Sequence, residues 1–156
     1  MRGKNHRELQ VWQKAMQVTE DVYKVVKLLP KEETYALSDQ MRRAAVSIPS
    51  NIAEGNARGT NKETIHFLYI AQGSRAEVET QMELCFRIGY IDEETMEDVI
   101  VQLQEIGRMI SGLIKSLTSN LSPSNLSPSN LSPSNLSPSN LSSSNLSPSN
   151  LSSSKI

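Results

Sequence analysis

Apolar side chains recur every three or four residues along most of residues 7–117, and this spacing constrains the fold more than any other feature of the sequence. It places the apolar side chains on one face of each of several α-helices. Prolines and glycines interrupt the pattern three times, near residues 30, 55–59 and 89. The sequence therefore predicts an all-α domain, an antiparallel up-down four-helix bundle with short connections.

The first two helices are predicted from the residues that start and stop them. Helix 1 is expected over residues 7–29, ended by Pro30, because proline cannot continue the hydrogen-bonding pattern. Helix 2 is expected over residues 35–54, with Thr34 as its N-cap and Gly55 as its stop.

The last two helices carry clearer signals. Thr60 and Glu63 form the pattern of a capping box at the start of helix 3, and Gly89 is expected to end that helix. Asp92 is a suitable N-cap for helix 4, which keeps its apolar spacing as far as residue 117.

Helix 1 carries two apolar stripes, whereas a surface helix of a monomer needs only one. The first stripe is Leu9, Trp12, Met16, Thr19, Tyr23 and Val26. The second stripe is Val11, Ala15, Val18, Val22, Val25 and Leu29. We expect the second stripe to be exposed in a monomer and to form an oligomer interface, chiefly through Val11, Val18, Val22 and Val25.

Residues 121–156 repeat the pentapeptide Leu-Ser-Pro-Ser-Asn, with serine in place of proline at positions 143 and 153. One leucine per repeat cannot bury enough apolar surface to offset chain entropy. The sequence therefore predicts a bundle domain over residues 1–120 and a disordered tail over residues 121–156. The tail is interpreted as an expanded coding repeat or a flexible tether, dispensable for folding.

Charge is unevenly distributed although the net charge is only −1. Residues 1–31 hold seven bases and three acids, whereas residues 77–105 hold nine acids and one base. The near-neutral total provides no global attraction to nucleic acid or membranes. A lone cysteine, no signal-peptide pattern and no membrane-length apolar run suggest a cytoplasmic protein.

The sequence offers no convincing catalytic, metal or cofactor site. His6 and His66 lack nearby partners at metal-ligand spacing, and the Glu77, Glu79 and Glu83 group is better read as a solvated acidic face. There is no glycine-rich phosphate loop opening a helix after a strand. We therefore expect a non-enzymatic protein with no cofactor, and no small-molecule substrate can be identified.

Residues 40–55 combine small residues, a mid-helix proline at position 49 and several polar side chains. One interpretation is structural: a kink near Ala45, close helix packing, and polar side chains that satisfy the backbone groups freed at Pro49. The other is a polar binding surface. The candidate nucleic-acid-binding bases are Arg42, Arg43, Arg58 and Lys62, with Arg2, Lys4 and Arg7 as additional candidates.

The same segment resembles the four-helix bundle proteins also called 23S rRNA intervening-sequence proteins. The matching residues begin with Leu9, Trp12, 30–33, Tyr35, Leu37 and Gln40, continue through 42–44 and 47–55, and end with Arg58, Phe67, Leu68, Ala71, Gly73, Ser74, Glu77 and Tyr90. The resemblance covers nearly all of residues 6–117, and the repeat tail has no counterpart in the family.

The resemblance implies a bacterial bundle protein that assembles as a ring-like homo-oligomer, with a pentamer expected. In a related branch, such a bundle engages a reverse transcriptase and nucleic acid. Two hypotheses follow: a non-enzymatic module that binds structured RNA or a ribonucleoprotein, and a structural scaffold that docks a protein partner, such as a reverse transcriptase-type enzyme, without touching nucleic acid.

Overall fold

The computed structural model describes residues 5–121, and the predicted repeat tail lies outside them apart from its first residue. Four α-helices account for most of this part of the chain: α1 (Gln10–Val26), α2 (Leu37–Ala57), α3 (Asn61–Ile88) and α4 (Glu93–Ser119). Two short 3-10 helices, His6–Glu8 and Lys31–Glu33, precede α1 and α2. The prediction of an all-α four-helix fold is confirmed.

The predicted boundaries of the first two helices are wrong in detail. α1 starts later than expected because a 3-10 turn occupies the beginning of the segment, where the Asn5 side chain accepts a hydrogen bond from the backbone N–H of Arg7. Thr34 does not cap α2. Instead, a carboxylate oxygen of Glu33 accepts a hydrogen bond from the backbone N–H of Leu37 at 3.3 Å. Gly55 does not stop α2 either, since the helix continues to Ala57.

The predicted signals of the last two helices are confirmed. The Thr60 hydroxyl accepts a hydrogen bond from the backbone N–H of Glu63 and caps α3. Gly89 ends α3 in the left-handed conformation, with φ of 85°, which a residue with a side chain rarely adopts. The Asp92 carboxylate accepts from the backbone N–H of Thr95 at 2.8 Å and caps α4.

The helices pack in a closed cycle, in which α1 contacts α2 and α4, and α3 contacts the same two helices. Successive contacts between α2 and α3 are Met41–Cys85, Ser47–Ser74 and Gly55–Thr64. Residue numbers rise along one helix as they fall along the other, which is the pairing of an antiparallel arrangement.

Contacts between α1 and α4 follow the same rule and join the basic start of the chain to the acidic third quarter. Lys14 forms an ion pair with Glu105 at 2.8 Å, and Asp21 accepts a hydrogen bond from the Gln102 amide at 3.1 Å. Part of the charge asymmetry of the sequence is therefore balanced within the bundle.

The second apolar stripe of α1 lies in the core. Val18 and Val22 have no exposed surface, and Val11 and Val25 are each 5% exposed. The expectation that this stripe stays exposed in a monomer is wrong, because α1 packs against two neighbouring helices and buries it there. The exposed apolar surface of α1 belongs to the first stripe, where Met16 and Tyr23 remain accessible.

Candidate functional site

The four candidate bases do not form one cluster. Arg42 and Arg43 lie in the second turn of α2, whereas Arg58 and Lys62 flank the connection between α2 and α3. At 1.5 Å per residue, the 15 residues between Arg43 and Arg58 correspond to about 22 Å along the helix axis. The two pairs therefore lie at different places on the bundle, because α2 continues without interruption through the residues that separate them.

The pair at the start of α2 is in part neutralised. Arg43 forms an ion pair with Asp39 one helical turn earlier, as the i,i+4 spacing predicts. Arg42 is half-buried and has no acidic partner within residues 5–121. One arginine at this location remains available to a ligand.

The pair at the α2–α3 connection contains an ion pair of the same kind and one additional contact. The Arg58 guanidinium lies 4.8 Å from the centre of the Phe67 ring and also pairs with Glu54. Both contacts hold an extended side chain in place at the surface. Lys62 is exposed and has no ion-pair partner in the described part of the chain. This connection therefore presents one positioned cation and one exposed cation without an ion-pair partner among the described residues.

Two more bases lie at the same end of the bundle. We call this the turn end: residues 5–12, 52–66 and 110–121, where α1 begins, α2 joins α3 and α4 finishes. It contains four bases, Arg7, Arg58, Lys62 and Lys115, and three acids. Lys115 was not among the predicted bases, because it lies far from them in the sequence and only the return of α4 brings it to this end. Arg2 and Lys4 lie outside the described residues.

The turn end also contains a cavity of about 470 Å³, which we call the end cavity. Its apolar floor consists of Leu9, Ile52, Leu68, Leu113 and Leu117. Polar side chains from the α2–α3 connection, including Arg58 and Asn61, line its rim. An apolar floor with a few polar groups at the mouth is the usual composition of a ligand pocket.

The opposite end of the bundle is acidic. We define this acidic end as residues 24–40 and 82–98, which hold nine acids and four bases. The Tyr90 hydroxyl donates a hydrogen bond to Glu33 at 3.0 Å and so joins the α3–α4 connection to the segment before α2. This hydrogen bond, together with the negative charge of Glu33, raises the pKa of Tyr90. Tyr35, two residues beyond Glu33, is 95% exposed.

A third surface is the groove between α1 and α2, which we call the α1–α2 groove. Met16, Tyr23 and Val46 line it and are 36–42% exposed. The apolar surface continues toward Trp12 and Pro49. Apolar side chains that line a groove together are typical of a contact surface between proteins.

The groups considered for chemistry are engaged in structural contacts. His6 packs edge-on against Trp12, and His66 against Phe67. Burial raises the pKa of the Cys85 thiol to about 11, which keeps it protonated at neutral pH.

The glutamates of α3 are paired along their own helix. Glu79 pairs with Arg75 and Glu83 with Arg87, while Glu77 accepts a hydrogen bond from Gln81 at 3.3 Å. Within residues 5–121, no three histidine, cysteine or acidic side chains are grouped as metal ligands would be. No helix in that range is both long and apolar enough to cross a membrane.

Comparisons with known proteins agree on the family. The sequence model of the family described as 23S rRNA-intervening sequence protein matches residues 7–112. A crystal structure of a protein of unknown function from the S23 ribosomal protein family of Bacteroides thetaiotaomicron VPI-5482 has a similar fold, with a TM-score of 0.63 and 28% sequence identity. The alignment covers 67% of this chain and 98% of that chain. The comparison with curated proteins gives no match.

Proposed function

Because the chain belongs to the 23S rRNA-intervening sequence protein family, we propose that it is a non-enzymatic, oligomeric four-helix bundle that binds structured RNA or a ribonucleoprotein. The observation that carries this proposal is the set of bases at the turn end. Arg58 is positioned by Phe67, while Lys62 and Lys115 have no acidic partner within the described residues. Cations arranged in this way suit phosphate oxygens.

Self-association is part of the proposal, and a pentamer is what the family resemblance implies. A single turn end offers few phosphate contacts, so its affinity for RNA would be low. Several copies held together would present the same bases repeatedly to one RNA, and their weak contacts would act together. The α1–α2 groove is the surface through which we expect the copies to associate, because its apolar side chains are accessible in a single chain.

Because the four bases form two separate pairs, RNA binding can be tested by removing one pair at a time. We propose to measure the binding of a structured RNA by fluorescence anisotropy at several salt concentrations. The Arg58→Ala/Lys62→Ala variant is expected to lower the slope of log affinity against log salt by about two, because each lost phosphate contact removes roughly one unit.

The matched control is Arg42→Ala/Arg43→Ala, which removes the same charge from the second turn of α2, about 22 Å from Arg58 along the axis of that helix. Its slope is expected to remain near that of the unmodified chain. Equal losses in the two variants would argue against a site at the turn end. No binding by the unmodified chain at low salt would contradict RNA binding altogether.

The second candidate function is a scaffold that docks a protein partner without nucleic-acid contact. The acidic end favours it, because its nine acids against four bases and the nearly fully exposed Tyr35 suit a basic partner surface. This candidate predicts that RNA binding is absent and that a Tyr35→Ala variant loses affinity for a basic partner such as a reverse transcriptase-type enzyme.

A further inference from the structure

We infer that the end cavity accepts one unpaired nucleotide of a bound RNA. The nucleobase lies against the apolar floor, and the phosphate lies at the basic side chains of the rim. The inference rests on the proposed RNA binding and adds the class of RNA that is preferred. RNA that presents unpaired nucleotides should bind better than a continuous duplex.

The floor of the end cavity suits the face of a base. Ile52 and Leu68 are almost completely buried at its bottom, and the half-buried Leu113 and Leu117 contribute from α4. A base that leaves its stack gains apolar contacts when it enters such a pocket. The volume of about 470 Å³ lies within the range of roughly 300–1,000 Å³ that is usual for ligand pockets.

The rim supplies polar groups suited to the edge of a base. The side-chain amide of Asn61 has no hydrogen-bond partner among the described residues and lines the cavity. An amide presents both donors and an acceptor, as the edges of bases do. The hydroxyls of Thr60 and Thr64 are already engaged with Glu63 and the backbone of Gly55. Asn61 is therefore the group we assign to reading the base.

The charges beside the cavity favour a nucleotide over an apolar side chain of a protein. Arg58 lines the rim and is held by Phe67, and Lys62 follows Asn61 in the first turn of α3. An inserted leucine or phenylalanine would cover the floor but would use neither cation nor the Asn61 amide. A nucleotide uses all three, because it combines an apolar face, a polar edge and a phosphate.

The test compares two RNA probes with the full chain: a hairpin with an unpaired loop and a blunt duplex of equal length. Anisotropy is expected to show that the hairpin binds about tenfold more tightly, the size expected for one well-placed base contact. Leu117→Trp should fill the cavity and remove this preference while leaving the affinity for the duplex unchanged. Val101→Trp is the matched control, since Val101 is an exposed residue of the same helix.

Asn61→Ala provides a second variant that alters no core residue, and it should reduce the preference for the hairpin without changing the melting temperature. Equal affinities of the unmodified chain for hairpin and duplex would overturn the nucleotide inference while leaving RNA binding intact. A hairpin preference that persists in both Leu117→Trp and Asn61→Ala would overturn it as well. Failure to bind either probe would overturn the inference together with the proposed function.

Discussion

At the scale of the residue, Thr19 joins two helices through one hydroxyl group. Pro49 has no backbone N–H, so the carbonyl oxygen of Ala45 lacks the partner that an uninterrupted helix would give it. The Thr19 hydroxyl, on α1, lies 3.0 Å from that oxygen and 2.7 Å from the carbonyl oxygen of Ala15. A polar group freed inside α2 is thus satisfied from outside α2.

Thr19→Val keeps the shape of the side chain and removes the hydroxyl. We expect it to lower the free energy of unfolding by about 1–2 kcal/mol, because the Ala45 carbonyl is left buried without a donor. Thr19→Ser, which retains the hydroxyl, should cost less. In a Pro49→Ala background the restored N–H can satisfy Ala45, so the cost of Thr19→Val should shrink. Equal costs in the two backgrounds, measured by urea unfolding, would contradict this role.

The sequence predicted that polar side chains near Pro49 would satisfy the freed backbone groups, but it did not identify the donor. Thr19 lies 26 residues from Ala45. In the sequence Thr19 belongs to the first apolar stripe, where a threonine is expected only to occupy space between larger apolar side chains. Only the packing of α1 against α2 gives it this role, and helical spacing within α1 contains no information about that neighbour.

At the scale of the element, α2 and α3 approach each other closely at Gly55. A Cβ atom placed there would lie 2.9 Å from the Cβ of Phe67 and 3.2 Å from the carbonyl oxygen of Thr64. The first contact is shorter than real Cβ atoms make, so a side chain here would force a local shift, and the second is unusually tight. The close approach explains why a glycine is placed inside α2, where the sequence predicted the end of the helix.

Gly55→Ala is therefore expected to destabilise the protein by about 1–3 kcal/mol, the usual cost of overpacking. Gly73 provides the control, because a Cβ at this exposed position of α3 has no neighbour within 4 Å. Gly73→Ala should instead stabilise the protein by roughly 0.5–1 kcal/mol through helix propensity. Thermal unfolding of both variants measures the difference, and changes of the same sign would contradict the assignment.

The start of α4 should respond to acid. Hydrogen bonds from Thr95, by its side chain and its backbone N–H, lower the pKa of Asp92 below its ordinary value of 3.8. The ionised form is therefore favoured in the folded state. Its stabilisation is present above pH 3.8 and disappears as the pH falls through the lower folded-state pKa.

Asp92→Asn should preserve the cap, since asparagine is an equally good N-cap, but it cannot titrate. We expect stability close to that of the unmodified protein at neutral pH and a shallower loss of stability as the pH falls below 3.8. Urea unfolding over this range measures the difference. Parallel pH curves for the two proteins would show that Asp92 does not contribute to the acid response.

Helix ends were predictable from the sequence where a side chain of the same segment forms the cap. Thr60, Gly89 and Asp92 act within four residues of the groups they satisfy. The start of α2 was not predictable in this way. Glu33, which accepts a hydrogen bond from the first residue of α2, lies in a separate 3-10 turn, and it also accepts a hydrogen bond from the Tyr90 hydroxyl of the α3–α4 connection. A cap that depends on tertiary contacts leaves no local signal.

At the scale of the whole molecule, the burial of the second stripe moves the expected interface to the α1–α2 groove. Met16→Glu together with Val46→Glu should reduce the mass measured by light scattering and retain the helical signal, because both side chains are accessible in one chain. Val18→Glu with Val25→Glu should instead unfold the bundle, since it buries charges in the core. An unchanged mass for the groove variant would exclude this surface.

The candidate site was predictable only in part. The bases beside the α2–α3 connection were identified from the sequence because they are close to one another along the chain. The two arginines at positions 42 and 43 were grouped with them although a helix carries them away, and Lys115 was missed although another helix brings it near. Grouping by sequence distance fails on helices, where 15 residues span about 22 Å.

The separation of charge between the two ends gives the bundle an electric dipole along its long axis. The turn end has four bases and three acids, and the acidic end has four bases and nine acids. The electric field of a polyanion such as RNA orients this dipole while the protein is still approaching, so that the acidic end faces away from the polyanion. Orientation during diffusion would therefore favour productive encounters at the turn end, and it would do so less as added salt shortens the range of the field.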